Sequence, residues 1–255
     1  MAAKHPIKRR RPQSGLLGKL LIIVAAAAAV VVGVMIFFKV QTLSVVGNQR
    51  YSAEQVISAS GIAVGENLMA VSKADAAQGI HKKLPYVQDV RIDRRLPDTV
   101  LIEIVECEAV AVIRDEAEGK WLINAQCKVL EQATEQTLVD VDGLTLVEGA
   151  LAVSPTAGEP LALTKEEQLS ALKSLLGALE KTVLLPKVQS LQLEHTYELV
   201  LYYDERFEVQ LGGTDELDYK ARYLEEIVTK QLDESKTGII DLTLEEDGVA
   251  RLITK

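Results

Sequence analysis

From Leu20 to Phe38 every residue is apolar or small and none is charged. No polar face interrupts the run, so the pattern is not that of an amphipathic helix lying on a water-soluble core. Leu16 and Leu17 extend it around Lys19, whose long side chain can reach back to an interface. As a helix, Leu16 to Phe38 spans about 35 Å, slightly more than the ~30 Å hydrocarbon core of a bilayer. The expectation is a transmembrane helix over residues 16–38, after a short tail at 1–15. Ala25 to Ala29 could supply the small residues of a signal-peptide cleavage site. The apolar run continues through Val30 to Phe38, well past the ~7–15 residues of a signal-peptide core, so an uncleaved anchor is expected.

After Lys39 the spacing changes. Val40 to Val46 reads as a strand ending at the turn pair Gly47-Asn48. Ser52 with Gln55 forms a helix-opening capping box, and Gly61 closes that helix. Ser72 caps a second helix, with Asp75 at its third position. Ala76, Ala77, Ile80 and Leu84 form its apolar face and Pro85 its stop. Two alternating strands follow. Val90 and Ile92 lie in the first, Val100, Ile102 and Ile104 in the second, around the turn Leu96-Pro97-Asp98. The order strand, helix, helix, strand, strand predicts a small α+β domain over residues 39–106.

Residues 107–255 read mainly as strands. Ala109 to Ile113 and Trp121 to Ile123 flank a hairpin loop, Asp115 to Gly119. Thr137 to Val141 and Leu144 to Val147 read as further strands. Thr164 and Glu167 suggest a capping box before Leu169, Leu172, Leu176 and Leu179, which recur at helical spacing. Val188 to Leu193, Tyr197 to Tyr203 and Phe207 to Leu211 alternate as strands. A helix is expected from Asp215 to Leu232, then a terminal hairpin of Ile239 to Leu244 and Val249 to Ile253. The expected fold class is thus one N-terminal transmembrane helix, an α+β domain, and a mostly antiparallel β domain with helices.

Charge orients this arrangement. The residues before Glu54 hold eight of the 28 Lys and Arg and none of the 37 Asp and Glu, so the remainder has a net charge of −17. Basic residues crowd the N-terminal side of the apolar run, which predicts a cytoplasmic N-terminus and an outer body. The acidic body does not suit a nucleic-acid binder. The three His, at 5, 81 and 195, are scattered, and no metal-ligand spacing, nucleophile elbow or phosphate loop occurs. No catalytic residue, cofactor or small-molecule substrate is therefore assigned. The two cysteines are Cys107 and Cys127. A hairpin centred on Ala117 puts Ile113 opposite Trp121 and, if the pairing continued, Cys107 opposite Cys127. Directly opposed strand residues lie ~4.5–5.5 Å apart at Cα, within disulfide range. An oxidising compartment would favour that bond.

The residues carry a resemblance. Val45-Val46-Gly47-Asn48, Gly65-Glu66-Asn67-Leu68, Leu84-Pro85-Tyr86-Val87 and Arg94-Arg95-Leu96-Pro97-Asp98 resemble the POTRA domain of the FtsQ/DivIB cell-division proteins. Trp121-Leu122-Ile123-Asn124, Val209-Gln210-Leu211-Gly212, Lys220-Ala221-Arg222-Tyr223-Leu224 and Ile240-Asp241-Leu242 resemble that family's β domain. The resemblance implies a POTRA domain at 39–106, a β domain at 107–255, and a division protein that holds partners. It places contacts with FtsB/DivIC- and FtsL-type proteins at Leu244, Glu246, Gly248, Val249, Ala250 and Leu252. The family pattern usually has a basic residue where Cys107 stands and Gly where Cys127 stands.

Two function classes follow. One is a membrane-anchored divisome scaffold, in contact with lipid through its anchor, located at the septum and joined to partners through a sheet edge. The other is an anchored envelope enzyme or sensor, which would need a convergent polar pocket.

Overall fold

The computed structural model describes residues 14–232, 236–243 and 251–254. Its first element, α1, runs Ser14–Phe37 and has no acidic residue in its first turn and no basic residue in its last. Side chains along α1 are described without a break only over residues 18–34, and among the described residues no helix is long and apolar enough to cross a membrane.

The domain that follows is built where its caps predict. It contains β1 (Thr42–Val46), α2 (Ala53–Ser60), α3 (Lys73–Lys83), β2 (Val87–Arg95) and β3 (Thr99–Glu106). Ser52 Oγ accepts the Gln55 N–H, and the Gln55 side chain accepts the Ser52 N–H at 2.8 Å, satisfying two otherwise unpaired helix-end donors. Ser72 Oγ caps α3 in the same way through the Asp75 N–H. Gly61, at φ 70, ends α2 in the left-handed conformation. The sheet order is β1-β3-β2, with β1 parallel and β2 antiparallel to β3. Val56 and Ile80 from the helices meet Val100, Ile102 and Ile104 from β3 in one core.

The second domain is one nine-stranded sheet. Its strands are β4 (Ala111–Asp115), β5 (Lys120–Ile123), β6 (Val129–Gln132), β7 (Thr145–Ala152), β8 (Val188–Gln192), β9 (Leu199–Tyr203), β10 (Phe207–Gly212), β11 (Gly238–Asp241) and β12 (Arg251–Thr254). They lie in the order β12-β11-β10-β9-β8-β7-β4-β5-β6. Three of the eight pairings, β10–β11, β4–β7 and β7–β8, are parallel, so the sheet is more mixed than the alternation suggested. The helices α5 (Glu166–Glu180) and α6 (Leu217–Glu226) cover one face. Leu172, Leu175, Leu176 and Leu179 of α5 are at most 1% exposed, and each such burial is worth roughly 1.5–3 kcal/mol.

Among the described residues, the other face is covered at one end only. There Tyr86, 5% exposed, packs with Val112, Leu122 and Leu130 of β4, β5 and β6. Its hydroxyl donates to Glu131 at 2.5 Å and its N–H to the Tyr51 hydroxyl at 3.2 Å. The Arg50 guanidinium lies 3.6 Å from the centre of the Tyr86 ring. Burial, then the bond to Glu131, raises the Tyr86 phenol well above its ordinary pKa. Lys128 Nζ donates to the Val87 carbonyl at 2.8 Å. Gly158 approaches the end of α3 so closely that a Cβ would lie 2.9 Å from the His81 carbonyl. The two domains thus share an apolar cluster rimmed by hydrogen bonds.

Several expectations need correction. Residues expected as a strand at 137–141 lie instead largely in α4 (Glu135–Asp140), opened by Thr134, whose hydroxyl accepts the Thr137 N–H. The expected Thr164 cap is not formed. Lys165 precedes α5 without a side-chain bond, and the Thr164 N–H goes to the Leu151 carbonyl. The expected helix to Leu232 ends its α-helical part at Glu226 and continues as a π-turn, Ile227–Gln231.

The cysteines are also placed differently. The register of Ile113 opposite Trp121 is present, but β5 ends at Ile123. Asn124 then turns the chain: its Oδ1 accepts the N–H groups of Gln126 and Lys128, and its carbonyl accepts the Cys127 N–H. Cys127 occupies that turn at φ 59, the conformation glycine adopts without strain, which accounts for the glycine of the family pattern. Cys107 instead donates its N–H to the Tyr86 carbonyl. Both thiols are free, Cys127 in the helix-side core and Cys107 at the domain junction. Burial raises the Cys127 thiol to about 12 and also raises Cys107.

Non-reduced protein should take up two alkyl groups when denatured, and in the native state Cys107 should react before Cys127. Uptake of none without reductant would show a bond. In the same hairpin the Asp115 carboxylate accepts from Trp121 Nε1 (2.9 Å), Gly119 N (2.7 Å) and Ala117 N (2.9 Å). These bonds, the indole first, hold its pKa below the ordinary value. A depressed folded-state pKa gives stability that is full above the unfolded value of about 3.9 and lost as pH falls through the folded one. The stability gap between the native chain and Asp115→Asn, read from urea midpoints, should therefore be widest near neutrality and shrink in acid. A constant gap would contradict this.

Candidate partner-binding edge

Strand alternation sorts the residues of the sheet between a helix-covered face and one that the described residues leave bare. In β9, β10 and β11, Leu199, Leu201, Tyr203, Phe207, Val209, Leu211 and Ile240 point into the helix-covered core. The residues between them, Val200, Tyr202, Glu208, Gln210, Ile239 and Asp241, are half-buried or exposed on the opposite side. Tyr202, Arg206, Glu208 and Ile239 contribute to a 470 Å³ cleft on that side.

The strands leading to the edge are held mainly by backbone bonds. Asp204 and Glu205, both at φ 55, form the turn between β9 and β10. Burial acts to raise the Asp204 pKa, but hydrogen bonds from Arg206 and Lys187 outweigh it and leave the carboxyl below its ordinary value. This pinned turn presents the Arg206 carbonyl, which accepts the Gly238 N–H at 3.1 Å as β11 begins. Farther along, the Leu242 N–H donates to the Gln210 carbonyl at 2.8 Å. The Asp241 side chain then accepts from Thr243 N–H at 2.9 Å.

β12 pairs with β11 through Gly238↔Thr254, Ile239↔Ile253, Ile240↔Leu252 and Asp241↔Arg251. It is the last strand of the sheet on that side. Among the described residues, no strand pairs with its outer side. Of the residues expected at a partner site, Leu252 lies in this strand. It occupies the register position opposite Ile240, in line with buried Val209, Leu201 and Leu191. Arg251 and Ile253 hold the register positions opposite Asp241 and Ile239. Leu244, Glu246, Gly248, Val249 and Ala250 lie outside the described residues. The bare face beside the edge was not among the expected site residues. Its signal was the alternation of Tyr202, Glu208 and Ile239 with buried neighbours, which locates a face but names no ligand.

Comparison with known proteins agrees with this architecture. Residues 38–106 match the model of the FtsQ-type POTRA domain. Residues 111–243 match that of the C-terminal region of the cell division protein FtsQ/DivIB. The cell division protein FtsQ of Corynebacterium glutamicum is 37% identical over 101 residues, covering 38% of this chain and 45% of that relative. The cell division protein DivIB of Clostridium botulinum is 23% identical over 218 residues, covering 84% and 81%. That of Bacillus cytotoxicus is 25% identical over 217 residues, covering 82% and 77%. With its strand-helix-helix-strand-strand domain followed by the nine-stranded sheet, the chain belongs to the FtsQ/DivIB family of cell division proteins.

Proposed function

We propose that this protein is a bitopic scaffold of the division septum, not an enzyme. Its apolar segment anchors it, its basic tail stays in the cytoplasm, and its two folded domains lie outside. The terminal edge of the large sheet receives other single-pass division proteins of the FtsB/DivIC and FtsL type and so helps position septal wall synthesis. The anchor reading is supported by the uncharged run Leu20 to Phe38 and by the basic residues that precede it.

The observation that carries the partner reading is the place of β12 at the end of the sheet. An edge strand presents unpaired N–H and C=O groups at every second residue on its outer side, and an incoming strand satisfies them. Natural sheets avoid long unprotected edges because such edges promote association. Here a partner strand would supply that protection. The bare face next to it would take further side chains, with Tyr202 and Ile239 as apolar contacts and Glu208 and Asp241 selecting a partner with basic groups. The family resemblance adds Leu244, Glu246, Gly248, Val249, Ala250 and Leu252 to this contact.

Co-purification of the full chain with tagged DivIC- and FtsL-type partners from membranes tests this. Deleting residues 244–255 should lower recovery by about ten-fold or more, equivalent to at least ~1.4 kcal/mol of binding. Membrane association should be retained. Undiminished recovery would contradict binding at the edge.

A further inference from the structure

The loop from Gly61 to Val71 lies against the end of α1. The Leu68 N–H donates to the Phe38 carbonyl at 2.9 Å. The Val40 N–H donates to the Glu66 carbonyl at 2.8 Å, and the Gly65 N–H to the Val40 carbonyl at 2.7 Å. Lys39 and Asn67 form an antiparallel bridge. These bonds make residues 38–40 and 65–68 a short ribbon that continues the helix into the first domain. They also bring the loop back alongside the helix. Val30, Val31 and Val34 of α1 face Met69 and Ala70 across a 610 Å³ groove, to which Lys39 also contributes.

The loop divides its apolar residues between two destinations. Ile62, Leu68 and Val71 are buried in the core of the first domain. Val64 and Met69 are 69% and 42% exposed. Isolated apolar residues on a surface are ordinary, but these two are on a loop that flanks an apolar helix. Val30 precedes Phe37, the last residue of α1, by seven residues, so the groove reaches about 10 Å along the helix axis from that end. In a ~30 Å hydrocarbon core that depth falls within one leaflet.

We propose that this loop is a lipid-contacting element, with Val64 and Met69 immersed in the outer leaflet and an acyl chain occupying the groove between Met69 and α1. The proposal rests on reading α1 as the membrane anchor. Its chemistry is that of the interface: an apolar slot for a hydrocarbon chain and, at the end of the helix, the Lys39 ammonium at the level of the lipid phosphates. The one acidic group of the loop, Glu66, is directed at the loop itself, its Oε2 accepting the Ala63 N–H at 3.4 Å. A domain held at both the helix end and this loop would keep a fixed face toward the membrane.

The experiment uses the full chain in phospholipid vesicles whose acyl chains carry bromine, which quenches tryptophan fluorescence at contact. The native chain has one tryptophan, Trp121, in β5, and supplies the unquenched baseline. Met69→Trp adds a reporter in the loop, Ile22→Trp one inside the anchor, and Val183→Trp one on an exposed site of the second domain. The emission added at 22 and at 69 should be quenched, and that at 183 should not. At 69, bromine near the ester end of the chain should quench more than bromine near its methyl end. Quenching at 22 with none at 69 would overturn the lipid-contact proposal and leave the anchor intact. No quenching at 22 would overturn the anchor reading, and the loop proposal with it.

Discussion

Tyr86 fixes the two domains relative to each other, and the reach of the molecule depends on that contact. Its ring is buried against Val112, Leu122 and Leu130, its hydroxyl is bonded to Glu131, and Arg50 lies over its face. The Arg50–Glu131 ion pair, at 3.8 Å between half-exposed side chains, adds little on its own. The apolar burial and the bond from a buried hydroxyl to a carboxylate carry the joint. Glu106 reinforces it from the first domain, accepting the N–H groups of Gln49, Arg50 and Tyr51 and so holding the segment that bears Arg50 and Tyr51.

From that joint a single row of register partners crosses the whole sheet. It runs Glu131, Leu122, Val112, Leu146, Ser190, Tyr202, Glu208, Ile239 and Ile253. The first eight of these positions share one side, because directly paired residues do. At its start the row is covered by the first domain, as at Leu122 and Val112. Toward β12 it emerges onto the bare face, as at Tyr202. One face of one sheet therefore carries the docked first domain at one end and, among the described residues, stays uncovered at the other.

Local chemistry made much of this legible in the sequence. Ser52 with Gln55, Ser72, Gly61 and Pro85 each act on groups within a few residues, so the first domain could be read almost element by element. The leucines of α5 and the alternation in β9 and β10 are equally local signals. What was not legible depends on competition between distant groups. Thr164 could have capped α5, but the Leu151 carbonyl takes its N–H, drawing that residue to the sheet. The run at 137–141 is too short for period to separate helix from strand, and Thr134 decides for helix. The Asn124 turn hid β6 and separated Cys127 from Cys107. The pairing of β12 with β11 was legible as a hairpin of two alternating runs, whereas the parallel placement of β11 beside β10 follows from non-local pairing.

The contact at Tyr86 sets where β12 lies relative to the first domain. Pulsed electron-spin distance measurement on the full chain tests it most directly. Spin labels at Arg95→Cys, exposed in the first domain, and Tyr197→Cys, exposed in the second, would be placed in a chain carrying Cys107→Ser and Cys127→Gly. One narrow distance distribution is expected, broadened when Tyr86→Ala is added. A broad or two-peaked distribution with Tyr86 intact would contradict it.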